Sequence, residues 1–138
     1  MAIDNIILNK TAIIERCIKR IQEEYQGFED ELATNHTRQD SIILNLERLC
    51  QSAIDLAAHL VRIKKLSIPQ DSRELFQMLE QNDLISETLS HNLQSMVGFR
   101  NLAVHDYQKL NLDIVRAIIN RHLTDFQAFS KKILQVDD

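Results

Sequence analysis

The chain has 138 residues and a formal net charge of −4 at pH 7, which excludes a protein that coats nucleic acid by bulk electrostatics, since such binding needs many phosphate-neutralising cations. It holds 2 glycines, 1 proline and no tryptophan, so the turn chemistry that hairpins and sheets need is scarce. An apolar set dominated by Ile, Leu and Ala, beside 26% charged residues, fits a helical bundle instead.

The length suits a single domain, residues 1–138, large enough to bury a core. No run of about 18 apolar residues occurs, which argues against a membrane span. "MAIDNIILNK" has no basic leader followed by a long apolar core, so a cytoplasmic location is expected.

From about Ile3 to Leu32, the residues Ile14, Ile18, Ile21, Tyr25, Phe28 and Leu32 recur at steps of three and four and predict one amphipathic helix. Gly27 weakens that helix without being expected to end it, because one interior glycine costs about 1 kcal/mol. "ATNHTRQDS" reads as a polar turn. A second long helix, about Arg38 to Lys65, is expected to bury Ile42, Leu46, Leu49, Ala53, Leu56, Leu60 and Ile63, and antiparallel packing on the first helix is the simplest arrangement. Cys17 and Cys50 fall on apolar helix positions without CxxC spacing, which predicts reduced core thiols.

Pro69, within "SIPQDSRE", breaks the pattern, and Asp71 followed by Glu74 resembles a capping box opening a short helix, about Ser72 to Gln81. A fourth helix starts near Ser86 and turns Leu89, Leu93, Met96 and Val97 inward. A fifth, about Leu112 to Leu134, does the same with Val115, Ile118, Ile119, Leu123, Phe126, Phe129 and Ile133. The expected architecture is all-α, four main helices in an antiparallel bundle plus one short helix. His36, His59, His91 and His122 show no ligand spacing with one another or with the cysteines, so no structural metal is predicted.

The stretch "GFRNLAVHDY", Gly98 to Tyr107, gathers most of the chemistry near the end of the fourth helix. At about 100° per residue, Arg100 and Tyr107 would share a face, while Arg100 and His105 would stand roughly 140° apart. A distorted helix end, the reach of the arginine, or a second copy across a dimer axis would bring that pair together. Arginine with histidine suits phosphodiester cleavage without a metal. An imidazole can take the proton of a ribose 2′-hydroxyl or give one to the leaving oxygen, and a guanidinium can hold the phosphate. The plainer reading makes Arg100 and His105 partners of the helix dipole, Asn101 a satisfied polar group and Tyr107 a half-buried anchor. Asp106 would then be solvated rather than orienting an imidazole. Arg116, Arg121, Lys131 and Lys132 would form a solvated face rather than help hold RNA.

"FRNLAVHDY" resembles the R-x4-H-x-Y signature of the HepT-like toxins of the HEPN superfamily. Arg100, His105 and Tyr107 stand at its fixed positions, and Asn101 matches the asparagine often found after the arginine. "LSHNLQSMVGFRN" and "NLDIVRAIINRHLTDFQAFSKKI" resemble the family's flanking helices, and the likeness covers nearly the whole chain. The resemblance implies a HEPN-like bundle and the toxin of a type VII HEPN/MNT toxin–antitoxin system. It further implies a metal-independent ribonuclease, working as a symmetric homodimer with its motifs facing one shared cleft. Arg100 and His105 would be catalytic, Asn101 supporting, and RNA the substrate, with tRNA as the first candidate. An MNT-type nucleotidyltransferase antitoxin would transfer AMP to Tyr107. ATP and Mg²⁺ would serve that partner, and cleavage would need no cofactor. The competing reading is a non-catalytic helical interaction module that binds a nucleotidyltransferase or a nucleotide through the same surface.

Overall fold

The computed structural model describes residues 4–136. The helices are α1 (Asn5–Tyr25), α2 (His36–Ile63), α3 (Ser72–Gln81), α4 (Glu87–His105), α5 (Leu112–Arg121) and α6 (Leu123–Val136), and no strand occurs among the described residues. Short 3₁₀ turns at Glu29–Glu31 and Tyr107–Lys109 complete the set. The all-α expectation therefore holds.

Helices α1 and α2 form an antiparallel hairpin, as their cross-links show: Asp4 meets His59 at 2.7 Å, Lys10 meets Asp55 at 3.1 Å and Glu24 meets Arg38 at 3.4 Å. Between these pairs Ile7, Ile14, Ile18 and Ile21 are buried against Leu46, Leu49, Leu56 and Leu60. Each such side chain contributes about 1.5–3 kcal/mol by leaving water. Helices α3 and α4 close one end, with the Ser90 hydroxyl donating to the Phe76 carbonyl at 3.2 Å. Phe76 meets Phe129 of α6 edge-on, centroids 5.7 Å apart, and one buried cluster runs from Ile7 to Ile133.

Side-chain caps set most helix starts. Asp4, Asn35, Asp71, Ser86 and Asn111 each accept from a first-turn amide of the helix that follows. The box at Asp71 is real but offset, because Glu74 reaches back to the Gln70 amide at 2.9 Å. Cys17 and Cys50 are buried free thiols. His59 is a satisfied core histidine whose Nε2 sits 2.7 Å from Asp4, and that bond holds the Asp4 carboxyl below its ordinary range.

Three expectations need correction. The first helix ends at Tyr25 rather than Leu32, because Gly27 takes φ +83°, a left-handed conformation that stops helix propagation. Arg38 fixes the turn: it donates to the Glu24 carbonyl at 2.8 Å and lies 3.7 Å over the Phe28 ring. Phe28 is consequently exposed, whereas Leu32 still reaches the core. The expected start at Ile3 lies outside the described residues. Ile63, at the last position of α2, is also exposed. The last helix is divided at His122, whose amide caps Ile118 at 2.8 Å and whose ring pairs with Asp125 at 2.8 Å. The buried stripe survives the break, since Ile119, Leu123, Phe126, Phe129 and Ile133 all stay inside.

Nothing lies within 4 Å of a Cβ built on Gly27, so Gly27→Ala isolates the backbone cost. The expected loss is about 1–2 kcal/mol in urea unfolding with an unchanged slope. A neutral result would mean that the turn does not depend on the glycine.

Candidate active site

Helix α4 is regular up to His105 and is held by buried Leu93, Met96, Val97, Phe99 and Ala103. That register leaves Arg100 half-buried on the side of α2. Its Nη1 donates to Asn101 Oδ1 at 3.2 Å, while its Nε is buried with no partner among the described residues. Burial pushes the Cys50 thiol of α2 up to about 12, with the Arg100 charge pulling it the other way. An orphaned guanidinium N–H is a standing requirement for an acceptor.

His105 is the last residue of α4, exposed, and its ring makes no hydrogen bond among the described residues. Arg100 and His105 are not joined within the chain, and the regular helix keeps them roughly 140° apart. Asn101 is brought to Arg100, not to His105. Asp106 turns to Lys109, 3.2 Å away, so it does not orient the imidazole of its own chain.

Tyr107 departs from the helical estimate. Asp106 takes φ −152° and closes α4 by bonding its amide to the Leu102 carbonyl at 2.8 Å, so the 100° rule stops applying there. Tyr107 opens the following 3₁₀ turn, and its hydroxyl donates to Asp40 Oδ1 of α2 at 2.5 Å. Partial burial first, and then the Asp40 carboxylate, raise the phenol above its ordinary range. Asp40 went unnoticed in the sequence, where it is one acidic residue on an exposed turn of α2, 67 positions away. Only the fold could have found it.

A cavity of about 260 Å³ beside the end of α4 is lined by Met96, Gly98, Phe99, Leu102, Leu110 and Ile114, and a groove of about 650 Å³ lies between α1 and α2. Neither includes Arg100, His105 or Tyr107. Leu102, Val104 and Ile114 are exposed apolar residues around the same helix end. Arg116 donates from Nη1 to the Glu29 carbonyl at 2.8 Å. No cluster of three or more His, Cys, Asp or Glu that could hold a metal ion occurs among the described residues.

A carboxylate facing a phenol disfavours the phenolate, so removing its charge should let the proton leave at lower pH. Asp40→Asn is expected to bring the alkaline titration of Tyr107 back toward the ordinary tyrosine value near ~10, read by ultraviolet difference absorbance. Superimposable wild-type and variant curves would show that Asp40 does not control this hydroxyl.

Comparison with known proteins shows the family. Residues 14–133 match the family described as Ribonuclease HepT-like. The mRNA nuclease HepT of Shewanella oneidensis is 54% identical over 126 residues, covering 91% of this chain and 94% of that protein. The solved structure of the tri-AMPylated Shewanella oneidensis HEPN toxin in complex with MNT antitoxin superposes with a TM-score of 0.91 at 52% identity, covering 96% of this chain and 99% of that one. A toxin–antitoxin structure with AMP-PNP gives the same 0.91 and 52% over the same shares of the two chains. With the motif, the helix order and this full-length likeness together, the chain belongs to the HepT-like ribonuclease family of HEPN proteins.

Proposed function

We propose that this chain is the toxin of a type VII HEPN/MNT pair: a metal-independent ribonuclease that works as a homodimer and is silenced by adenylylation of Tyr107. The observation that carries the reading is that one helix presents both a half-buried Arg100 and an exposed His105 whose ring makes no hydrogen bond among the described residues. A phosphate oxygen would be held at the open Nη end of the guanidinium, where the Asn101 contact is exposed, and the guanidinium charge would stabilise the pentacoordinate phosphorane. Asn101 holds Nη1 and so limits the rotamers that Arg100 can adopt.

In the reaction, one His105 takes the proton of the ribose 2′-hydroxyl as its oxygen attacks phosphorus. The 5′-oxygen leaves with a proton from an acid, and a 2′,3′-cyclic phosphate remains. One chain offers a single motif histidine, so base and acid together call for two copies. The exposed apolar residues around the end of α4, Leu102, Val104 and Ile114, suit burial against a second copy.

For the relatives, the nuclease name and the AMPylated complex with an MNT antitoxin supply the functional context. By analogy, an MNT-type antitoxin would modify Tyr107, two residues from His105. The AMP group adds bulk and negative charge that compete with RNA phosphate for Arg100. ATP and Mg²⁺ serve that partner. The Shewanella relative is named for mRNA, so mRNA belongs in the assay beside the tRNA expected from resemblance.

Unmodified protein is expected to cleave RNA in EDTA, and His105→Ala or Arg100→Ala to lower kcat/KM by about 10²-fold or more with the fold retained. Tyr107→Phe should still cleave and should escape the antitoxin. Absence of cleavage of both tRNA and mRNA by verified unmodified protein would overturn the nuclease reading in favour of a binding module.

A further inference from the structure

The mechanism of RNA cleavage makes no use of Asp40. This carboxylate comes from α2, is exposed, and has a single hydrogen-bond partner among the described residues, the hydroxyl of Tyr107 at 2.5 Å. The neighbouring cations are engaged elsewhere. Arg38 pairs with Glu24 and Glu31, at 3.4 Å and 3.7 Å, and Lys109 pairs with Asp106 at 3.2 Å. Arg100 donates to Asn101 at 3.2 Å. Asp40 is therefore a carboxylate with no ion-pair partner among the described residues, aimed at one hydroxyl.

We propose that Asp40 is the general base for adenylyl transfer to Tyr107, so that this chain carries within itself the catalytic group for its own neutralisation. The inference rests on the reading of Tyr107 as the AMP acceptor and adds what activates it. A phenol is protonated at neutral pH, and its oxygen has to shed that proton as it attacks the α-phosphorus of ATP. In the step, the Tyr107 Oη–P bond forms and the bond from the α-phosphorus to the bridging oxygen breaks. Its electron pair leaves with pyrophosphate, and the phenolic proton passes to Asp40 and then to water.

The geometry matches the demand. A base has to lie within hydrogen-bond reach of the proton that it removes, and Asp40 already accepts that proton's hydrogen bond. Kinases place an aspartate against the attacking hydroxyl of their substrate in the same way, but there the enzyme supplies it. The carboxylate also opposes a standing phenolate, so the proton leaves only as the O–P bond forms and positive demand develops on the oxygen. Modification would then require the acceptor turn and α2 together. An unfolded chain or a Tyr107 peptide would be a poor substrate.

The test is the rate of AMP addition to the full-length chain by its cognate MNT nucleotidyltransferase with ATP and Mg²⁺. Mass spectrometry locates the modified residue, and the affinity of the two proteins is measured alongside. Asp40→Asn is expected to slow modification by about 10²-fold or more at unchanged affinity. Its remaining rate should rise about tenfold per pH unit as phenolate replaces the base, where the wild type is flat, and Asp40→Glu should recover part of the loss. A wild-type rate and pH profile in Asp40→Asn, or a loss that merely follows weakened complex formation, would overturn the inference and leave the acceptor reading standing. Absence of AMP on Tyr107 in the wild type would overturn both.

Discussion

A single hydrogen bond, from Tyr107 to Asp40, ties the turn that follows α4 to the first turns of α2. Helix α4 has no glycine at its end; it stops because Asp106 swings to φ −152° and the chain crosses toward α2. What the turn receives in return is the Asp40 contact, a solvent-exposed hydrogen bond contributing about 1.5 kcal/mol at most. That is small beside the α1–α2 core, where many apolar side chains each contribute at least as much. The turn can therefore be reshaped by a partner without loosening the bundle. His105 stays fixed at the end of a regular helix while Tyr107, two residues on, sits on a local tether.

The same division explains how a chain of net charge −4 can be read as acting on RNA. In the proposed account, affinity is not spread over the surface but concentrated at the half-buried guanidinium of Arg100. Several surface cations are already paired with neighbouring carboxylates: Arg20 with Glu23 and Glu24, Lys10 with Asp55. In the proposed account, neutralisation works on this economy of charge. One AMP at Tyr107 would place an anion where the substrate phosphate belongs, and in one chain Arg100 and His105 are the motif groups that it would oppose.

Helix existence and the core were legible because apolar spacing is set by the helical period: of the stripe expected on α5 and α6, every residue from Val115 to Ile133 is buried. The boundaries were less so. Gly27 read as a tolerable weakness because propensity alone makes one glycine inexpensive, yet Arg38, reaching 14 residues back to the Glu24 carbonyl, decides that the chain turns there. The break at His122 depends likewise on a side-chain pair, with Asp125. Arg100, Asn101, His105 and Tyr107 were found through a compact local motif. Asp40 was not, because its meaning arises only when α2 and the end of α4 are packed side by side. A helical wheel also placed Tyr107 on the face of Arg100, which fails once the helix ends at His105.

The central claim is that one chain presents half of a site and that two copies complete it. The direct measurement is RNA-cleaving activity per chain over a dilution series, with sedimentation of the same samples to give the dimer fraction. The account predicts that activity per chain falls in step with the dimer fraction and returns when the protein is reconcentrated. Constant activity per chain in samples that sediment as monomers would contradict it, and would place both proton-transfer groups within a single molecule.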